Sequence, residues 1–89
     1  MLSADYTKQF RKDYKLAMKR GLTIDTLDAV IGALLEELPL SAKYRDHNLT
    51  GNYKNYRECH IQPDWLLIYR IENGMLVLYR TGSHADLFR

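Results

Sequence analysis

Three histidines, His47, His60 and His84, carry the chemistry that this 89-residue sequence most plainly offers. Histidine is the side chain best suited to proton transfer near neutral pH, because its unperturbed pKa is about 6.5. Asp64 follows His60 by four positions, and Arg80 precedes His84 by four. Histidines with a carboxylate and an arginine form a metal-free acid–base set. RNA is a substrate that needs only such a set, because its own 2′-OH is the nucleophile. The site must take a proton from that oxygen, stabilise charge on the phosphate and protonate the leaving 5′-oxygen. Trp65 and Phe88 offer rings on which bases could stack.

Positioning these residues is the task of the elements around them. Asp5 is placed to cap a first helix over about residues 5–20, with Tyr6, Phe10, Tyr14 and Ala17 as its apolar stripe and Gly21 as its stop. Thr23 is placed to cap a second helix, striped by Ile24, Leu27, Ile31, Leu34 and Leu38 and ended by Pro39. From residue 53 the period changes to that of strands. "YKNYRECHI", "WLLIYRI" and "MLVLYRT" read as three strands, and Asn73-Gly74 between the last two is a type I′ hairpin signal. A short strand at Leu2-Ser3-Ala4 would make a fourth. The expected architecture is α+β: two N-terminal helices packed on one face of a mainly antiparallel four-stranded sheet, then a short C-terminal helical turn capped by Ser83. Residues 1–89 read as one domain.

Hairpin register converts this plan into geometry. With Asn73-Gly74 as the turn, Glu72 faces Met75, Leu67 faces Arg80 and Trp65 faces Gly82. Trp65, Leu67, Tyr69, Leu76, Leu78 and Arg80 then share one face. His60, Asp64, Trp65, Arg80 and His84 gather at one end of the sheet. His47 is not placed by this argument. The strand from Tyr53 to His60 covers seven steps, about 23 Å. The six steps back to His47 span at most ~20–22 Å, so His47 joins the cluster only if its loop doubles back along the sheet.

Each residue also has a plainer reading. Asp64 after Pro63 suits a turn, Trp65 and Phe88 suit a core, His60 suits an exposed strand end, and Arg80 could pair with Glu58 or Asp64. Three histidines and an aspartate could ligate zinc, but no HxxxH or HExxH spacing occurs. Cys59 lies within a strand pattern, pointing away from His60, and no nucleophile elbow is present.

Composition narrows the class. With 46% hydrophobic and 27% charged residues the chain is globular rather than disordered. No apolar run reaches the ~18 residues of a membrane span. The N-terminus lacks the apolar stretch of a signal peptide, and the one cysteine fits a reducing cytoplasm. The net charge of +2 is uneven: residues 1–22 carry six basic and two acidic groups, whereas residues 23–42 carry four acids and no base. The middle segment is again basic, and Lys54 and Arg57 there are candidate contacts to a phosphate backbone.

"YRDHNLTGNYKNYRECHIQPDWLLIYRI" followed by "LYRTGSHADLF" closely resembles the YafQ branch of the RelE-like toxins, within the RelE/ParE superfamily of type II toxin–antitoxin modules. Three motifs carry the resemblance: D-H-x-L-x-G at Asp46–Gly51, H-x-x-P-D-W at His60–Trp65 and R-T-G-[ST]-H at Arg80–His84. The resemblance implies a RelE-like α+β fold and a ribosome-dependent endoribonuclease that cuts mRNA in the ribosomal A site without a cofactor or metal. It implies a cognate antitoxin that neutralises the toxin. It implies His47, His60, Asp64 and His84 as catalytic residues, and Trp65, Arg80 and Phe88 as substrate contacts. Gyrase-directed relatives of the same fold supply the alternative, a non-catalytic toxin that poisons a protein target.

Overall fold

In a computed structural model, described for residues 1–88, the chain forms β1 (Ser3–Tyr6), α1 (Lys8–Lys19), α2 (Ile24–Leu35), β2 (His47–Asn48), β3 (Arg57–Gln62), β4 (Trp65–Glu72), β5 (Met75–Gly82) and α3 (His84–Phe88). Short 3₁₀ turns at Ala42–Tyr44 and Gly51–Tyr53 flank β2. The sheet has five strands in the order β1-β5-β4-β3-β2, with β1 parallel to β5 and the rest antiparallel. The α+β expectation holds; the strand it lacked is the two-residue β2. No helix among the described residues is long and apolar enough to cross a membrane.

Both helices are shorter than their stripes suggested. Asp5 is not the cap of α1, because residues 3–6 pair with β5 as a strand. The helix starts at Thr7, whose Oγ1 accepts from the Phe10 amide at 3.1 Å and reaches the Leu78 and Tyr79 carbonyls at 3.0 Å. That hydroxyl fastens the start of α1 to the edge of β5. At the other end the Gly21 amide donates to Met18 and the Leu22 amide to Ala17, a Schellman closure with Gly21 at φ +74°. Helix α2 ends the same way, with Glu37 at φ +58° in the glycine position, so it stops before Pro39 is reached. Thr23 occupies the N-cap position of α2, but its side chain makes no capping bond.

Alternation along the strands divides the sheet into two faces. Cys59, Ile61, Trp65, Leu67, Tyr69, Leu76 and Leu78 pack with Phe10, Ala17, Leu27, Val30, Ile31 and Leu34 of the two long helices. Leu66 and Ile68 point the other way, onto Leu87 of α3, with Leu49, Tyr53, Tyr56 and Tyr79 around them. The hairpin turn is as expected, with Asn73 and Gly74 both at positive φ.

One irregularity corrects the expected register. Glu72 to Tyr69 pair with Met75 to Leu78 as predicted, but Ile68 then faces Arg80, Leu67 faces Thr81 and Leu66 faces Gly82. Tyr79 is the extra residue of a β-bulge. Thr81, not Arg80, therefore joins Trp65 and Leu67 on the helix side. Its hydroxyl accepts from the Trp65 indole at 2.9 Å and donates to the Leu66 carbonyl at 2.7 Å, which satisfies the one polar group of a buried tryptophan.

Candidate active site

β3 carries the centre of the site. Its alternation buries Cys59 among the helices and sends Glu58 and His60 to the opposite face. β2 pairs antiparallel beside it, His47 opposite Glu58, so the loop does double back and bring His47 to the cluster. The β3–β4 turn holds Asp64, and α3 holds His84. The rings of His47 and His60 lie 6.2 Å apart and those of His60 and His84 5.8 Å, which puts His60 between the other two.

Two carboxylates orient the outer histidines. Asp64 Oδ1 accepts from both the backbone amide of His84, at 2.9 Å, and its Nδ1, at 2.6 Å. Those bonds, the backbone one first, hold the Asp64 carboxyl below its ordinary pKa. With Nδ1 donating to Asp64, the Nε2 of His84 is left free to accept a proton.

His47 is held differently. Its Nδ1 meets the Arg45 carbonyl, which can only accept, so Nδ1 carries a hydrogen. Its Nε2 lies 2.9 Å from Glu58 Oε2, and a contact between a lone pair and a carboxylate needs a second proton between them. A proton placed between Nε2 and Oε2 would bond both, so the pair is arranged to carry one. Glu58 is 6% exposed and its other oxygen, Oε1, has no partner among the described residues. Glu58, absent from the residues read as catalytic in the sequence, is thus a member of the site. Its signal was alternation: it is two residues from His60, hence on the same face.

α3 is fixed by several independent contacts. Ser83 and Asp86 cap each other reciprocally, the Ser83 amide donating to Asp86 at 2.9 Å and the Asp86 amide to Ser83 Oγ at 3.1 Å. Arg20 at the end of α1 grips Asp86 with both terminal nitrogens, and the Asp86 carboxyl is held well below the usual range, chiefly by that arginine. Gly82 lets the helix come this close, since a Cβ there would sit 3.0 Å from the Asp86 side chain. The Tyr53 hydroxyl donates to the Leu87 carbonyl from the other side.

The structure redistributes the predicted substrate contacts. Phe88 is 45% exposed, edge-on to Tyr53 at 5.4 Å and 6.5 Å from the His84 ring, so its face is open beside the histidines. Trp65 is 2% exposed on the helix face and cannot stack on a base. Arg57 lies on the face opposite His60 and is committed to Asp46 and Asn48. Lys54 is exposed on the loop before β3. Arg80 pairs with neither Glu58 nor Asp64. Its Nε and Nη2 bind buried Asp13 of α1 at 2.8 and 3.2 Å, leaving Nη1 without a hydrogen bond among the described residues. Asp13 also accepts from the Thr81 amide, so this pair braces the bulge.

A metal could be held by Glu58, His60 and His84, whose ligand atoms lie within 4.8 Å of one another. This set keeps two of the three histidines considered for zinc from sequence, omits His47 and has Glu58 in place of Asp64. Burial pushes the Cys59 thiol up to about 12, which removes it as a nucleophile or ligand.

Comparison with known proteins gives first the class. A family described as bacterial toxin of type II toxin-antitoxin system, YafQ, matches residues 2–89. The mRNA interferase toxin YafQ of Escherichia coli (strain K12) is 45% identical over 85 residues, covering 94% of this chain and 92% of that protein. A copper-bound mutant toxin from Helicobacter pylori superposes with a TM-score of 0.95 at 40% identity, covering 99% of this chain and all of that one. The toxin of the E. coli DinJ-YafQ complex superposes with a TM-score of 0.93 at 42% identity over the full length of both chains. The chain belongs to the YafQ family of toxins.

Proposed function

We propose that this protein is an endoribonuclease toxin that cuts mRNA in the ribosomal A site, acts in the cytoplasm and is neutralised by a cognate antitoxin. The mRNA interferase activity named for its E. coli relative supports the substrate, and the DinJ-YafQ complex supports the partner. The observation that carries the chemistry is the pair of differently held histidines: His84 with its Nδ1 on Asp64 and a free Nε2, and His47 with its Nε2 facing the Glu58 carboxylate, where a shared proton can sit.

In this reading His84 Nε2 takes the proton of the 2′-OH. The 2′-oxygen attacks phosphorus and the bond to the 5′-oxygen breaks. The proton between His47 and Glu58 passes to that leaving oxygen, giving a cyclic 2′,3′-phosphate and a free 5′-OH. His60, between the two, contacts the phosphate, and Nη1 of Arg80, on the same cross-strand row as Glu58 and Ile68, adds charge. The exposed Phe88 ring stacks on a flanking base. No step requires a metal. A copper ion, such as the mutant Helicobacter pylori toxin binds, would occupy nitrogens this mechanism uses if it were held by Glu58, His60 and His84, and would then inhibit cleavage.

The test is cleavage of mRNA on programmed ribosomes by wild type, His84→Ala and His60→Ala, each with EDTA and with added Cu²⁺. Cleavage that survives EDTA, falls on adding Cu²⁺ and is lost in both variants supports the reading. Wild-type rates in both variants would sink it.

A further inference from the structure

β2 covers only residues 57 and 58 of β3, so the strand's edge is open from Cys59 to Gln62. A cavity of about 460 Å³ occupies that edge, and His60 forms one of its walls. The opposite wall is the 3₁₀ turn before β2, with Lys43, Tyr44 and Arg45. Gln62 and Pro63 close one end. No carboxylate lines the cavity among the described residues.

Arg45, with Lys43 beside it, differs from the other arginines around the site. Arg20, Arg57, Arg70 and Arg80 each have an acidic partner. Lys43 and Arg45 have none among the described residues. The nearest acid in sequence, Asp46, is taken by Arg57 and by the Tyr69 hydroxyl. Lys43 lies 5.1 Å from the Tyr44 ring centroid, a contact that holds the ammonium without neutralising it. Arg45 sits at φ +48°, a conformation uncommon for a residue with a side chain. That conformation turns its carbonyl to His47 Nδ1, so one turn both orients a histidine and presents two unpaired charges.

We propose that this cavity is a subsite for a backbone phosphate of the RNA strand being cut, bound by Lys43 and Arg45 next to His60. Phe88 lies beyond His84 on the far side of the histidines, where a second depression runs along Thr50, Tyr53 and Leu87. The strand would then cross the cluster from a stacking contact at Phe88 to a charge contact at Lys43 and Arg45. This rests on the RNA-cleaving reading above but does not need the ribosome.

The experiment measures single-turnover mRNA cleavage against protein concentration for wild type, Lys43→Gln and Lys43→Gln with Arg45→Asn, asparagine being tolerant of the left-handed backbone. The RNAs carry one uncharged methylphosphonate linkage at successive positions around the cut. The double variant should need about tenfold more protein for half-maximal cleavage, with a salt dependence shallower by about one power per lost contact. One methylphosphonate position should penalise wild type by a similar factor and leave the double variant unchanged. Equal penalties in both proteins at every position would overturn the proposal and indicate a ribosomal RNA contact. Wild-type cleavage by the double variant with weakened antitoxin binding would overturn it in favour of an acidic antitoxin segment. If wild type cuts only free RNA, the ribosome reading fails and the same comparison decides the subsite on free RNA. If wild type cuts neither, the RNA-cleaving reading has failed. Far-UV dichroism and thermal unfolding report whether the variants fold.

Discussion

The two faces of the sheet are made from the same strands and are finished in opposite ways. On the helix face each buried polar group is answered: Trp65 by Thr81, Thr81 by Leu66, and Asp13 by Arg80, Gln9 and the Thr81 amide. On the other face Glu58 is as buried as Asp13, yet one of its oxygens has no partner among the described residues. His47 and His84 beside it are exposed, and His60 half-exposed. An unanswered buried carboxylate oxygen costs stability, of the order of 1–3 kcal/mol. Buried polar groups are thus satisfied on the helix face, and a buried carboxylate beside the histidines is left under-satisfied on the other, separated along β3 by a single residue.

That contrast breaks cleanly under substitution. On the open face, His84→Ala should lower cleavage by about 10²–10⁴-fold and leave the thermal midpoint nearly unchanged, which activity and calorimetry on one sample would show. On the helix face, Trp65→Ala should cost about 3–5 kcal/mol by chemical denaturation, because it opens a cavity and removes the donor to the Thr81 hydroxyl. A Trp65 variant that stays stable while losing activity would refute the division. Gly82→Ala couples the faces: its Cβ meets Asp86, so α3 must shift, and cleavage should fall more than stability does. Asp64→Asn keeps the turn and removes the charge behind His84, and should slow cleavage by about ten- to a hundredfold. The sign of the pH effect follows from the depressed Asp64 pKa. Its support of His84 is present above the ordinary carboxylate range and is lost only as pH falls through the lower, folded value. In acid, therefore, the Asp64–His84 bond should outlast free carboxylates, which carboxyl NMR titration can follow. The smallest effect is on neither face: Glu37→Gly should stabilise by up to about 1 kcal/mol, since glycine adopts that positive φ freely.

Much of this was legible before the structure, and the misses have identifiable causes. Asn73-Gly74 specified the hairpin because few other pairs take positive φ at both positions, and four of the predicted register pairs follow from it. The bulge at Tyr79 carries no comparable signal. It depends on Thr7, the N-cap of α1, and Asp13 within it binding the edge of β5, partners 67 to 72 positions away. Its consequence was large, moving Arg80 off the Trp65 face. β2 was invisible because two residues make no period; only the motif resemblance drew His47 toward the site. Trp65 reads as a stacking ring from its type and its motif, and neither separates a residue that shapes a site from one that touches substrate. Glu58 was overlooked for the converse reason: alternation placed it beside His60, but it read only as a partner for Arg80.

The claim that the open face holds a prepared base and a prepared acid is tested most directly by pH–rate profiles of single-turnover cleavage. Wild type should give a bell. His84→Gln should lose the rising, base limb and keep the falling one; His47→Gln should lose the falling, acid limb and keep the rising one. A profile in which both variants retain both limbs would contradict the account.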